Sequence, residues 1–412
     1  MPLLVRCNEL QAGMRLAEAF MWHRRMMLPG GKVLTREDTD ILQRKYPNQF
    51  LKIGDPVLDS VAEFEDDGRE REVAATATQK IAQCMADAGE KISTRAHVGS
   101  VNFTSMRSAA AAVVDYIKSN PVSAALLPQH AGGPEGYLSD HAGSVFYLSM
   151  VLGSAVRDYV VRERMRQTAA SNLSSQIAMD LLPLGLGAMF IDVAMYPLAH
   201  IFDAGYELTP DDRKAIREHP NTGAELIPEN MPAGVKTIVR AHHEAVDGSG
   251  YPLGTTGDHQ HVFSRITRIC DAYDAGTSEK VYAQAKSPAR VIWEMTAGPS
   301  RTCYDPVLTK MFASLIQPFP IGAKLKLTDG REAVVVRYNR KQPFSPNVIV
   351  AFDDKGERLP REQLTGPVNL GEGNDLRIAS FDGEDLSCIY ETIAQTERIT
   401  AEPACSFAAA YP

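Results

Sequence analysis

The stretch that says most about the fold places two adjacent histidines directly before a turn: Arg240-Ala241-His242-His243-Glu244-Ala245-Val246-Asp247-Gly248-Ser249-Gly250-Tyr251-Pro252. Imidazole nitrogens beside two carboxylates can bind a divalent metal. The Asp-Gly-Ser-Gly run permits a tight turn after them. Alone, the stretch also fits an ordinary helix C-terminus with a glycine-rich stop. The rest of the chain has to decide between the two interpretations.

The composition indicates a globular protein of several domains. The chain has 412 residues, of which 44% are hydrophobic and 23% charged, and this length exceeds a single hydrophobic core. The formal net charge of -8 argues against binding DNA or RNA polymers and against docking on an anionic membrane by bulk charge.

The chain start and the cysteines favour a cytoplasmic location. The first residues, Met1-Pro2-Leu3-Leu4-Val5-Arg6, are too short an apolar run for a secretory signal. No run of about 18 uncharged apolar residues is present, so we expect no transmembrane helix. The six cysteines are scattered without a CxxC pair, as expected of reduced thiols.

Local patterns predict a mainly α-helical protein with a small β-rich unit at each end. Thr35 is placed to cap a helix in the first unit, and Thr328-Asp329-Gly330 is a hairpin turn in the last. The predicted segments are a β-rich N-terminal domain at 1–58, a linker and helical segment at 59–136, a helical domain at 137–317, a small antiparallel barrel-like domain at 318–370, and a partly disordered tail at 371–412.

The helical segment contains the candidate metal ligands. We expect Ser139 and Asp140 to cap a helix that starts near His141, and we expect one apolar helix from Leu181 to Met195 with Asp192 as its only charge. A buried carboxylate without a partner is costly, so it needs a cation or several donors. The candidates are His141, Asp192, His219, His242, His243, Asp271 and Asp274. Nitrogen and carboxylate ligands suit Fe, Mn, Zn, Ni or Co, and a carboxylate bridging two metals suits attack on phosphorus.

With these residues in view, the helical segment resembles the HD-GYP family, metal-dependent phosphodiesterases of the HD superfamily that hydrolyse cyclic di-GMP. His242-His243-Glu244 followed by Asp247-Gly248-Ser249-Gly250-Tyr251-Pro252 is similar to the family's signature loop. Glu218-His219-Pro220 with Gly223 is similar to its upstream histidine helix. Arg265-Ile266 followed by Asp271-Ala272-Tyr273-Asp274-Ala275 is similar to its downstream helix. The resemblance therefore implies a helical HD-type bundle at 137–317.

The resemblance also implies roles for single residues. The implied metal ligands are His141, Asp192, His219, His242, His243 and Asp271, with one or two transition-metal ions such as Fe or Mn. Asp192 and His242 are the implied catalytic residues, Lys280 and Asp274 the implied substrate contacts, and Gly250, Tyr251 and Pro252 the signature loop. One metal would be held by Asp192, His219, His242 and His243, and the other by His141, Asp192 and Asp271.

Several positions depart from the family pattern. Where the family has His-Asp-x-Gly-Lys, this chain has Ile191-Asp192-Val193-Ala194-Met195. Ile191 cannot bind a metal, and Met195 carries no charge for a substrate phosphate. Lys280 replaces a family arginine and lacks its planar guanidinium, and Ala283 replaces a basic residue.

The departures leave two functions open. The first is a cyclic di-GMP phosphodiesterase with weakened or altered activity. The second is a catalytically inactive scaffold that binds a cyclic dinucleotide or a signalling protein. The implied ligand is cyclic di-GMP or a related dinucleotide, with GGDEF-domain proteins as candidate partners and a homodimer as a candidate assembly.

Overall fold

A computed structural model shows how the chain folds. It describes residues 2–22, 25–47, 49–61, 63, 68–93, 102–120, 136–167, 174–199, 209–278, 285–339, 341–364, 366–370 and 375–390. The chain divides into two compact units. The first contains Met1–Phe20, Met26–Glu65 and Pro318–Pro412, and the second Met21–Arg25 and Asp66–Gln317.

The N-terminal part of the first unit contains the predicted strands and capped helix. Its elements are β1 (Pro2–Arg6), β2 (Phe20–Trp22), β3 (Arg25–Leu28), α1 (Arg36–Lys45), β4 (Phe50–Gly54) and α2 (Pro56–Asp59). Strand β1 pairs antiparallel with β4. Thr35 forms a reciprocal capping box with Asp38 at the start of α1, which satisfies free backbone N–H groups at the helix end.

The C-terminal part of the first unit is a six-stranded antiparallel sheet. Its strands are β5 (Lys324–Leu327), β6 (Glu332–Arg337), β7 (Asn347–Phe352), β8 (Val368–Asn369), β9 (Ile378–Phe381) and β10 (Glu384–Asp385), in the spatial order β10-β9-β5-β6-β7-β8. The predicted boundary at residue 370 is wrong, because β9 pairs with β5 and buries Ile378 and Phe381. Part of the predicted disordered tail, residues 391–412, lies outside the described residues.

The two ends of the chain form one unit where the sequence suggested separate domains. The backbone N–H of Leu4 donates to the carbonyl oxygen of Gly322 at 2.9 Å. Arg358 forms a two-pronged ion pair with Asp55. These long-range contacts leave no local pattern in the sequence, which explains why the two segments were assigned to different domains.

Between residues 66 and 317, the named regular elements in the described part of the second unit are helices. Its helices are α3 (Gly68–Ser93), α4 (Phe103–Ser119), α5 (Tyr137–Ala155), α6 (Arg157–Gln167), α7 (Ser175–Ala178), α8 (Leu182–Phe190), α9 (Pro210–Leu226), α10 (Ala233–Ala241), α11 (Val262–Thr277), α12 (Pro288–Thr296) and α13 (Pro306–Leu315). The predicted helical segment at 59–136 thus contains α3 and α4, and α3 belongs to the same unit as the helices after it.

Helix α5 is the centre of this unit. It packs against α3, α8 and α11, and nearly every residue from Leu138 to Gly153 is buried. A Cβ atom at Gly143 would lie 2.4 Å from the backbone oxygen of Thr78, so the lack of a side chain lets α3 approach closely. Helix α5 begins at Tyr137, earlier than predicted, and Ser139 and Asp140 lie in its first turn and are not its cap.

The apolar helix predicted from Leu181 to Met195 is interrupted. Helix α8 ends at Phe190 and a 3₁₀ segment runs from Val193 to Leu198. Asp192 lies at the junction with φ -100° and ψ 19°, outside helical geometry. Because of this break, Asp192 lies just after the end of a buried helix and not in the middle of one.

One segment, Gln176–Leu198, has the length and hydropathy of a membrane-crossing helix, and 72% of its most apolar window is buried inside the protein. Helices α5 and α6 meet the same criteria together but are bent by 90°. A mostly buried core helix meets these criteria equally well, so the observation is weak evidence for a membrane span.

A buried charge network joins three helices of the second unit. Arg265 on α11 donates to Glu163 on α6 at 2.5 Å and also pairs with Asp305, which caps α13. Tyr159 on α6 donates to Asp305 at 2.7 Å. All three charged side chains are at most 10% exposed. The network fixes α11, the helix that carries Asp271.

Replacing Arg265 by alanine is expected to lower the free energy of unfolding by about 3–5 kcal/mol, because it leaves buried Asp305 without its cation and Glu163 with only the half-exposed Arg166. Urea denaturation of the variant measures this loss. Arg290→Ala is the matched control, since its ion pair with Glu294 is partly exposed and such pairs contribute about 0–1 kcal/mol. Equal small losses for both variants would show that the network does not hold the helices.

Candidate metal centre

Three histidines from two helices converge on one point in the second unit. His219 lies on α9, and His242 and His243 follow α10 directly. One nitrogen from each ring lies within 4.8 Å of the others. Helix α9 begins at a Thr209–Asp212 capping box with Pro210 in its first turn. The cap fixes where the helix begins and hence which of its turns carries His219.

The hydrogen bonds of two histidines determine which nitrogens face the centre. The Nδ1 atoms of His219 and His242 lie 2.6 and 2.7 Å from the carbonyl oxygens of Ile216 and Val239. A carbonyl oxygen can only accept, so both Nδ1 atoms carry a proton and the neutral rings have lone pairs on Nε2. The two Nε2 atoms lie 3.1 Å apart. Burial lowers the pKa of His219, but the hydrogen bond and charge of Asp192 outweigh it and raise this pKa. The protein therefore favours a positive charge between the two rings, and either a proton or a metal cation fits there.

The carboxylate of Asp192 has a histidine on each side. One oxygen lies 3.3 Å from Nε2 of His219, and the other lies 3.4 Å from Nε2 of His141. Burial would raise the pKa of Asp192, but the hydrogen bond with His219 and the neighbouring histidines hold it well below its usual range. The carboxylate is therefore ionised and spans the two halves of the centre.

The second half of the centre is built around His141 on α5. Its Nε2 lies 3.1 Å from Asp271, and its Nδ1 lies 2.6 Å from Asp274. Burial lowers the pKa of His141, but the hydrogen bonds to these two carboxylates outweigh burial and raise it to about 10. So high a proton affinity shows that the carboxylates favour a positive charge at this position.

The pKa values of His242 and His243 are shifted in the opposite direction, downwards. Burial is the largest cause that lowers the pKa of His242 to about 4, and the charge of His219 adds to it. Burial and the charge of His242 together lower the pKa of His243 well below its usual value. Both rings are neutral near pH 7, which is the form that binds metals.

The loop after the histidines is held by its two acids. Glu244 accepts hydrogen bonds from the backbone N–H groups of Leu253 and Thr255, at 2.6 and 2.9 Å. Asp247 accepts from Ser249 and from the Thr302 hydroxyl. The sequence suggested both acids as neighbouring metal ligands. In the structure they anchor the loop, because their oxygens are bonded to loop and Thr302 donors.

Gly250, Tyr251 and Pro252 lie against the histidine pair. A Cβ atom at Gly250 would lie 2.2 Å from the backbone nitrogen of Ala245 and 2.4 Å from the carbonyl oxygen of His243, so only glycine fits there without movement. The Tyr251 ring lies 4.7 Å from the His243 ring, measured between centroids. The loop therefore covers one side of the cluster with an aromatic ring.

The structure brings together all six residues for which the sequence implied metal binding, within one network of distances of 3.6 Å or less. Asp274 is placed differently from the implied substrate contact. Its side chain is 1% exposed and bonds His141 from behind, because it follows Asp271 by nearly one helical turn. Lys280 lies outside the described residues.

Two of the positions that depart from the family pattern carry buried apolar side chains. Ile191 is fully buried and Met195 is 4% exposed. Two basic residues that the sequence did not single out also lie at the centre, Arg217 and Arg268. Their sequence signal is faint: Arg217 precedes His219 by two residues, and Arg268 precedes Asp271 by three, on the same face of α11.

Comparison with known proteins supports the class of this unit. Residues 166–308 match the family model described as HD domain. The chain is 29% identical over 202 residues to a cyclic di-GMP phosphodiesterase of Pseudomonas aeruginosa, and the match covers 48% of each chain. It is 33% identical over 140 residues to a probable cyclic di-GMP phosphodiesterase of Vibrio cholerae, with 31% of each chain covered.

Among solved structures, an HDG"Y"P protein of Bdellovibrio bacteriovorus matches with a TM-score of 0.40 and 14% identity, covering 76% of this chain and 98% of that one. The chain spans about half the length of the Pseudomonas relative. The helical unit contains an HD domain, a class whose phosphohydrolases depend on a divalent metal. Together with the His242–Pro252 loop, these matches support the resemblance to the HD-GYP family seen in the sequence.

Proposed function

We propose that the chain is a metal-dependent phosphodiesterase that hydrolyses cyclic di-GMP. The observation that carries the proposal is the carboxylate of Asp192, whose two oxygens face His219 on one side and His141 on the other. A carboxylate in this position can hold two cations at once. The relatives named above as cyclic di-GMP phosphodiesterases support the substrate.

The chain's own residues divide into two ligand sets. His219, His242 and His243 with Asp192 would hold one ion, and His141 and Asp271 with Asp192 would hold the other. When bound, a divalent metal supplies a Lewis acid that polarises a phosphoryl oxygen. Asp274 orients His141 through its 2.6 Å hydrogen bond, as carboxylates behind metal-binding histidines do. Iron and manganese suit these nitrogen and oxygen donors.

A second function is favoured by one specific observation. Ile191 and Met195 are both buried and apolar, at positions where the family resemblance implies a metal-binding histidine and a phosphate-contacting lysine. The set around His141 is thereby one nitrogen short. A protein with one firmly held metal could retain cyclic di-GMP without cleaving it, as a receptor or scaffold.

One experiment separates the two functions. Protein reconstituted with Mn²⁺ or Fe²⁺ is incubated with cyclic di-GMP, and the linear dinucleotide product and the bound nucleotide are measured in the same samples. Turnover by the wild-type protein supports the phosphodiesterase. Binding without turnover supports the scaffold, and the lack of both contradicts both functions for this ligand.

The remaining parts of the prediction belong to the same proposal. We propose residues 137–317 as the catalytic domain. GGDEF-domain proteins and a second copy of the chain are the partners that the family resemblance implies. A cytoplasmic location agrees with the free thiols of the five cysteines in the described part of the chain.

A further inference from the structure

Two guanidinium groups lie beside the histidine cluster. Arg268 on α11 places Nη1 3.5 Å from Nδ1 of His243, and its guanidinium carbon is 5.6 Å from the centre of the Tyr304 ring. Arg217 on α9 has its guanidinium carbon 4.7 Å from the centre of the Tyr251 ring. Since Tyr251 itself lies against His243, Arg268 borders the cluster directly and Arg217 is linked to it through the Tyr251 ring.

The surroundings of Arg268 differ from those of Arg265 on the same helix. Arg265 is neutralised by Glu163 and Asp305. Among the residues that the structure describes, neither Arg268 nor Arg217 forms an ion pair with a carboxylate, and the buried Nε of Arg268 has no hydrogen-bond acceptor. A partly buried cation next to a neutral imidazole is unfavourable unless an anion binds there.

The geometry of a guanidinium suits a phosphate. Arginine presents parallel N–H groups that can bind two oxygens of one phosphate. The aromatic rings under both arginines fix their planes by cation–π contact, which lowers the entropy lost when an anion binds. Met195 carries no charge at the position where the family resemblance implies a lysine. Arg268 reaches the cluster from α11 and brings a positive charge to it.

We propose that Arg268 binds a phosphate group of the substrate and that Arg217 adds a second positive charge at the rim of the same site. The ligand class is a phosphodiester anion such as a cyclic dinucleotide. The inference rests on the proposed function for the identity of the ligand, but the anion site itself can be tested without it.

The experiment compares Arg268→Gln, Arg268→Lys and Arg217→Gln with the wild-type protein, all reconstituted with Mn²⁺. Arg162→Gln is the matched control for Arg217→Gln, because Arg162 is also an exposed arginine over a tyrosine ring, that of Tyr159. We expect Arg268→Gln to weaken cyclic di-GMP binding by about 10- to 100-fold, the range for a lost charged hydrogen bond. We expect Arg268→Lys to lose less, Arg217→Gln to lose less than Arg268→Gln, and the control to bind normally.

Three further measurements distinguish a phosphate contact from a structural role. Metal content and urea stability should stay at the wild-type level, and the salt dependence of binding should become shallower in Arg268→Gln. A loss of metal, or equal loss in the lysine and glutamine variants without a change in salt dependence, would assign Arg268 to the structure of the site. Unchanged binding by Arg268→Gln would overturn the proposal outright.

Inorganic phosphate separates this proposal from the proposed function. If the wild-type protein neither binds nor cleaves cyclic di-GMP, the proposed function fails. Phosphate titration of wild-type protein and Arg268→Gln then decides the anion site alone: binding that disappears in the variant supports it, and no binding or equal binding contradicts it.

Discussion

His242→Ala is expected to remove one metal ion from the protein. Its Nε2 lies 3.1 Å from Nε2 of His219, and its Nδ1 lies against the carbonyl oxygen of Val239, so the neutral ring presents Nε2 as a ligand that alanine lacks. Loss of a group that merely orients a ligand costs about 10- to 100-fold in affinity, and the loss of the ligand itself should exceed this.

Metal analysis of the purified variant by mass spectrometry, together with titration of Mn²⁺, measures the effect. His259→Ala is the matched control, because His259 is exposed and lies after the signature loop. Its metal content should equal that of the wild-type protein. A His242→Ala variant that keeps its full metal content would remove the histidine cluster from the proposed centre.

Asp192→Asn is expected to affect both ions and to stop turnover. The change preserves the size of the side chain, but it replaces one of the two oxygens by an N–H donor and removes the negative charge. The donor would point at either His219 or His141, where a lone pair is needed. The variant should therefore lose more metal than His242→Ala, which leaves the set around His141 intact.

Metal stoichiometry and cyclic di-GMP turnover are measured on Asp192→Asn beside Asp258→Asn, whose carboxylate is 87% exposed. We expect the control to match the wild-type protein in both. If Asp192→Asn and His242→Ala lost the same amount of metal, Asp192 would belong to one site only and would not bridge two.

The sequence singled out the residues that the structure brings together, but not their geometry. His242, His243 and the loop that follows are adjacent in the chain, so their proximity needs no fold. The two-sided position of Asp192 depends on the break between α8 and the 3₁₀ segment, and the uninterrupted apolar run from Leu181 predicts a continuous helix there.

Helical periodicity also left one assignment undecided. Asp271 and Asp274 are three residues apart and lie on one face of α11, so spacing cannot tell which of them faces the metal and which supports His141. The distances to His141 make the distinction. The sequence also offers no reason to single out Arg268, because its position beside His243 depends on how two separate helices pack.

The small sheet was harder to predict than the helices. Strand β9 has four residues and β10 has two, too few to show alternation. Strand β10 pairs with β9, and the pairing of β9 with β5 joins segments about fifty residues apart; such contacts are set by the whole unit and not by local preference.

The connectivity of the first unit has a consequence for dissecting the protein. Because that unit is assembled from both chain ends, the helical unit is an insertion within it, and a cut at residue 58 or 318 would divide one folding unit in two. Leu4 would lose Gly322, and Asp55 would lose Arg358. Deleting either end is therefore expected to disrupt the fold of the first unit. A chain joined directly from residue 65 to residue 318 would keep both parts of that unit.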